Sequence, residues 1–226
     1  MLAGLLSLGR AAAAHDQLPI DAAALLGRHD SMVVLVRGQP FGWQTSQLIR
    51  TADGFRVVEQ FSLGEFVQQR TEILLGKDGT IRWVQRGGTV NGVTVHTSLE
   101  YRRGRVRGVS VAPVAGAPMT LETDKALPAG TIDENAIALY LPTLPWALGA
   151  KFSFNVFSGD ENAVRPMTLT VLGTATVTLA SGSVEAWEIQ LDGGPATVRY
   201  YMTRSEPHRM ARMDLLETGW SLLLVN

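Results

Sequence analysis

From Met32 to Val111 apolar and polar residues alternate with a period of two, and turn signals cut the alternation into short runs. Alternation puts every second side chain on one face of an extended strand, so each run needs that face buried. The pattern predicts strands at Met32–Arg37, Phe41–Arg50, Phe55–Leu63, Phe66–Leu75, Ile81–Arg86, Val93–Tyr101 and Val106–Val111. In the third run Phe55, Val57, Phe61 and Leu63 share a face. Between the runs stand Ala52-Asp53-Gly54, Lys77-Asp78-Gly79, Asn91-Gly92 and Arg103-Gly104. Asn-Gly and Asp-Gly between alternating runs are the strongest local hairpin signals, because both residues tolerate positive φ. The first half therefore reads as an antiparallel meander.

Residues 112–131 carry Pro, Gly and Ala and read as a crossing loop with one short strand at Met119–Glu122. Asp133 then caps a helix through Tyr140, and Pro142 and Pro145 force a break before Trp146. Strands resume at Lys151–Phe157, with Phe152, Phe154 and Val156 on one face, and continue through Met167–Leu172. The stretch GTATVTLASGSVEAWEIQ is a hairpin around Ser181-Gly182-Ser183, with Trp187, Ile189 and Leu191 on one face of its second arm. Runs at Ala196–Thr203, Arg209–Leu216 and Trp220–Val225 close the chain. Near the start, DQLPIDAAALLGRH reads as a short helix capped by Asp21 and ending near Gly27. The expected fold is mainly β: one strongly curved antiparallel sheet of about a dozen strands, a half-barrel, wrapped on one or two short helices. No βαβ rhythm supports a parallel sheet; a closed barrel and a two-sheet sandwich are the alternatives. Residues 1–31 form an N-terminal segment and 32–226 a single curved β domain.

With 46% hydrophobic residues the chain has material for a core, and a formal net charge of −1 gives no reason to expect nucleic acid. Cysteine is absent, which removes disulfides and thiolate chemistry. No apolar run approaches the length of a membrane-spanning helix. Leu2–Leu8 is a short apolar run and Ala11–Ala14 supply small residues, as in a signal peptide, but no basic region precedes the run and Arg10 interrupts it. A clipped signal peptide, with a periplasmic or otherwise exported protein, and an ordinary N-terminal helix in a cytoplasmic one both stand as readings.

The order of features in the second half is familiar: an Asp-led helix with prolines, a Gly–aromatic strand GAKFSFNVFSG, a Thr/Val-rich strand entering a small-residue turn, the EAWEI arm, and the aromatic strand RYYMTRSEPHRMARMDLL. Gly173, Val177, Gly182 and Ala186 fit a spacing G-x-x-x-V-x-x-x-x-G-x-x-x-A. In these features the chain resembles the bacterial cell-envelope family of unknown function called DUF3108, over residues 32–226. It departs from that family in having Leu-Ala-Ser-Gly where a proline often precedes Ala-Gly. The family in turn resembles the curved half-barrels of lipoprotein carriers of the LolA and LppX types. The resemblance implies a curved β fold and brings no catalytic residues.

The motifs that announce chemistry are missing. Among His15, His29, His96 and His208 there is no HExxH or HxH, and neither GxSxG, GxGxxG nor a Walker loop occurs. His96 and Glu100 lie four apart on one strand and face the same way, but a solvated polar face explains them more simply. Asp160 and Glu161 are adjacent acids in an apparent loop, expected to be solvated. Arg102, Arg103, Arg105 and Arg107 form the densest charge, where a phosphate or anionic lipid contact competes with an ordinary charged hairpin tip. Nothing calls for a cofactor or a metal. What remains is apolar surface. On a curved sheet Trp43, Trp83, Phe152, Phe154, Trp187, Tyr200 and Trp220 are strand positions able to line a ligand cavity or to pack a dry core. The cavity reading has Trp187 and Phe154 bordering one void of about 300 Å³ or more. It makes the chain a non-catalytic envelope protein that binds or carries a lipid or other apolar molecule. A structural or protein-interaction module and a hydrolase with an unrecognised site are the alternatives.

Overall fold

The computed structural model describes residues 17–114 and 116–225. Strand accounts for 66% of it, in one open sheet of fifteen strands. Eight strands follow one another as a meander: β1 (Arg28–Val36), β2 (Gln39–Thr51), β3 (Gly54–Leu63), β4 (Val67–Gly76), β5 (Ile81–Val90), β6 (Val93–Arg102), β7 (Arg105–Val114) and β8 (Ala117–Ala126). The short β9 (Ile132–Asp133) leads into a helical segment, a 3-10 turn at Glu134–Ala136, α1 (Ile137–Tyr140) and a 3-10 turn at Leu141–Thr143. A second meander follows: β10 (Lys151–Ser158), β11 (Ala163–Leu179), β12 (Gly182–Asp192), β13 (Val198–Thr203), β14 (Met210–Leu215) and β15 (Trp220–Leu224). β15 pairs with β1, so the two meanders fuse into one sheet with β8 at one end and β9 at the other. Among the described residues only β9 and β10 run parallel.

The expected half-barrel is therefore present, with its strands longer and more numerous than the alternation indicated. Residues 112–131 are not a crossing loop. β7 runs on to Val114 and β8 occupies ten residues, its Pro118 lying at the open end where no further strand needs its N–H. Of the helix expected over residues 16–29, the described residues 17–29 form only a single turn. Asp21 does cap, accepting from the Ala23 N–H at 2.9 Å, but only the 3-10 turn Ala22–Ala24 follows before the chain extends into β1 at Arg28. The reading of residues 1–14 lies outside the described residues.

The helical segment fills the concave face. Ala136, Ile137, Leu139, Tyr140, Leu141, Leu144 and Trp146 are buried against Leu48, Val57, Ile73 and Val84 on one side and Phe152, Phe154, Leu169, Ile189 and Tyr200 on the other. Asp133 starts it by accepting from the Asn135 N–H at 2.8 Å, and Pro142 stops α1 from continuing. The Tyr140 hydroxyl donates to the Gly79 carbonyl at 2.7 Å, and the Trp146 indole donates to the Leu141 carbonyl at 3.0 Å. A smaller cluster around Val34, Leu63, Val177, Ala186 and Leu222 seals the region where the long β11–β12 hairpin meets β1 and β15.

Some glycines inside strands stand where the neighbouring backbone leaves no room for a side chain. Gly88 in β5 has φ 151°, and a Cβ built there would lie 1.9 Å from the Gln68 carbonyl oxygen. Its neighbour Gly87 has open space. Gly88→Ala should lower stability by more than about 3 kcal/mol, or abolish soluble protein, through backbone strain and overlap together. Gly87→Ala should stay within about 1 kcal/mol of the parent. Urea unfolding of both variants checks this, and equal effects would mean that Gly88 does not mark a forced close approach.

Candidate functional site

The sheet register lays rows of side chains across the concave face. One row is apolar: Leu48, Val57, Ile73, Val84 and Leu99 stand opposite one another on β2 to β6. Two residues along each strand the next row is polar: Asp30, Ser46, Glu59, Thr71, Arg86, Thr97 and Ser110, on β1 to β7. Polar groups under a helical plug must find partners or remain neutral. Arg28 Nε donates to Asp30 at 3.1 Å, Arg209 Nε donates to the other Asp30 oxygen at 3.1 Å, and Ser46 Oγ donates to Glu59 at 3.2 Å. Burial dominates at Glu59, outweighing Ser46 and Arg28, and pushes its carboxyl up to about 7. A cavity of about 30 Å³, room for about one water, separates it from Ala138, Leu139 and Pro142 of the plug.

At the other end of the row Arg86 pairs with Asp160, which also accepts from Ser110 Oγ at 3.1 Å. Asp160 sits on the β10–β11 turn, and the next residues of that turn hold β8. Thr123 Oγ1 donates to Asn162 at 3.1 Å, and Asn162 Nδ2 donates to the Glu122 carbonyl at 3.0 Å. The two ends of the open sheet thus meet through side chains rather than through a ladder. Below them Tyr101 donates to Asp133, whose carboxyl burial pushes up, and Glu134 rises to about 7 by burial and by the charge of Asp133.

Two open clefts flank the plug at the strand ends, and the segment 17–27 contributes residues to both. Leu18 and Ile20 face one of about 790 Å³, and Pro19 and Asp21 face the other of about 760 Å³. The larger cleft has an apolar floor of Leu18, Ile20, Ile81, Tyr101, Leu127, Ile132 and Tyr140, and a rim carrying Arg82, Arg102, Arg103 and Arg105. The second runs between Trp146, Pro142 and Leu144 and the turn Glu206–Arg209.

The seven aromatics expected to share one lining are dispersed. Phe152, Phe154 and Tyr200 are core residues packed with the plug, and Trp187 is half-buried beside them, its ring covered by the Arg204 guanidinium 4.8 Å from its centroid. Trp220 packs on the smaller cluster. Trp43 and Trp83 project from the outer face, because each stands one residue out of phase with the inward rows. His96 and Glu100 also lie on the outer face of β6, and no group of three or more His, Asp or Glu among the described residues is arranged to hold a metal. Asp160 is not a solvated loop acid but the partner of Arg86, whereas Glu161 pairs at the surface with Arg165. Arg105 and Arg107 do share a face, both bonding Asp124.

The model of the family described as "Protein of unknown function (DUF3108)" matches residues 46–216. The chain belongs to that family. A solved beta-barrel-like protein of a domain of unknown function, DUF1849, from Brucella abortus is similar over 89% of this chain and 96% of its own, with 12% identity and a TM-score of 0.49. No curated protein matches. Among the described residues of this DUF3108 protein no helix is long and apolar enough to cross a membrane. None of these comparisons bears on the likeness to LolA and LppX-type carriers.

The polar row makes a prediction about pH. Glu59 and Glu134 shift from the ordinary 4.5 to about 7 in the fold. Between those values the folded protein keeps protons that the unfolded chain has released, so stability falls as pH rises from about 5 to 8, by at most about 1.4 kcal/mol per pH unit for each group. The carboxylates held low, Glu72, Asp78 and Asp124, act below that window. Glu59→Gln should gain stability over the parent at pH 8 and little at pH 5, in denaturant unfolding at both pH values. A parent equally stable at the two would show that these carboxyls are not kept neutral.

Proposed function

We propose that this DUF3108 protein is a non-catalytic cell-envelope protein that binds or carries an apolar molecule, and that the ligand enters the cleft at the strand ends rather than the centre of the half-barrel. The observation that carries the reading is the cleft of about 790 Å³ with its apolar floor, within the size range of small-molecule sites. The concave centre is occupied by the plug, so the space for a ligand is at the plug's end, where Tyr140 and Ile132 form part of the floor. The export part of the reading rests on the apolar run Leu2–Leu8 and the small residues Ala11–Ala14.

A second reading, a protein-interaction module, is favoured by the exposed aromatics Phe41, Trp43 and Phe66, the rings of Phe41 and Phe66 stacking with centroids 6.0 Å apart. Titration with a neutral apolar fluorophore separates the two. Binding should be saturable and should weaken at least about fivefold in Ile81→Gln and Leu127→Gln, both half-buried in the cleft, because each removes apolar area from the floor. Native mass spectrometry of protein purified without detergent should show co-purifying apolar mass. Absence of binding, or binding untouched by both substitutions, would sink the cleft reading and leave the interaction module standing.

A further inference from the structure

The arginine rim of the larger cleft is more than a charged hairpin tip. Four arginines line the cleft against two carboxylates, Asp78 and Glu100, a local excess of two positive charges in a chain whose formal net charge is −1. Asp78 is already engaged by its own turn, accepting from the Thr80 N–H at 3.1 Å and from Thr80 Oγ1 at 2.7 Å. On the β6–β7 hairpin Arg105 is tied to Asp124, which also takes Arg107. Arg102 and Arg103 have no ion-pair partner among the described residues and are exposed. Beside the main cleft, and sharing Glu100, Arg102, Arg103 and Arg105 with it, lies a side pocket of about 300 Å³ lined by these four residues and Arg107 alone. Through these shared residues the apolar floor and the arginine pocket, which also holds the Glu100 carboxylate on the outer face, meet across the end of the β6–β7 hairpin.

Resting on the reading of the cleft as an apolar site, we infer that its ligand is an anionic amphiphile, with its chain on the floor of Leu18, Ile81, Leu127 and Tyr140 and a phosphate or carboxylate head among Arg102, Arg103, Arg105 and Arg107. Guanidinium forks bond such oxyanions in pairs, and the unpaired Arg102 and Arg103 are the groups free to do so. Asp124 holds Arg105 and Arg107 at the pocket's wall, so two arginines are fixed and two are left to close on the head group.

Displacement of a neutral apolar fluorophore by dodecyl phosphate, dodecanol and inorganic phosphate, each below any micelle concentration, tests the inference. In the parent, dodecyl phosphate should bind about tenfold or more tighter than dodecanol, the size of one charge-assisted contact. The doubly substituted R102Q/R103N protein should bind dodecanol as the parent does and lose most of that preference, as should the parent in high salt. Asn suits the positive φ of 50° at residue 103, so the hairpin keeps its turn. Equal affinity for dodecyl phosphate and dodecanol in the parent would overturn the anionic head group while leaving the apolar site intact. Failure of both to displace the fluorophore, or binding of inorganic phosphate as tight as that of dodecyl phosphate, would overturn the amphiphile, while the fluorophore's own binding decides the apolar cleft.

Discussion

A sheet rolled into a half-barrel cannot leave its apolar concave face to water, and here the segment from Ile132 to Trp146 covers it. Its side chains reach both meanders at once, Val57 and Ile73 from the first and Phe154 and Ile189 from the second. The segment is also the link between those meanders in the chain, so the connection that joins them becomes the core that they share. Pro142 and Pro145 keep the helix short, and the chain turns back at Trp146 in time to start β10. With the centre filled, open space is confined to the plug's ends, and that is where both clefts lie.

The polar row beneath the plug costs free energy that a row of valines would not. A partly buried ion pair such as Arg86–Asp160 gains little over apolar packing, and Arg86 Nε has no hydrogen-bond partner. What the pair supplies is position. Asp160 and Asn162 belong to the β10–β11 turn of the second meander, Arg86, Ser110 and Thr123 to the first, and they bond one another only when that turn reaches across the opening. A different roll of the sheet would strand a charge. The closure is thus specified by polar contacts where backbone pairing is absent.

Much of this architecture was legible because alternation and turn chemistry are local. The Asn91–Gly92 and Arg103–Gly104 turns, the cap at Asp133 and the shared face of Trp187, Ile189 and Leu191 follow from neighbouring residues alone. β8 was read only in part, at Met119–Glu122, because an end strand tolerates Pro118 and carries few apolar residues. The polar row was hidden for a different reason. Glu59 lies in phase with Phe55, Val57, Phe61 and Leu63, on the inward face, and a pattern search passes over the one member that breaks the chemistry. An in-phase acid within an apolar face was the available signal. Which aromatics point inward depends on bulges and phase: Trp43 and Trp83 fall outside, Phe152 and Phe154 inside. The clefts could not be read at all, since turns distant in sequence build them.

The distribution of ionisable groups bears on what kind of function the fold supports. Acid–base catalysis needs a carboxyl of shifted pKa within reach of a substrate. The carboxyls raised here, Glu59, Asp133 and Glu134, are tied to the plug and the sheet beneath it, and the only space beside Glu59 in its cavity is of the size of a water. The groups that face the open clefts are of another sort. The larger cleft carries four guanidiniums and an apolar floor beside Glu100 and Asp78, the latter held ionised by Thr80, and the second cleft carries Asp21, Glu206 and His208. The acids that burial raises are thus separated from the open clefts, and the groups lining those clefts are ones that can hold a ligand's charge and apolar surface.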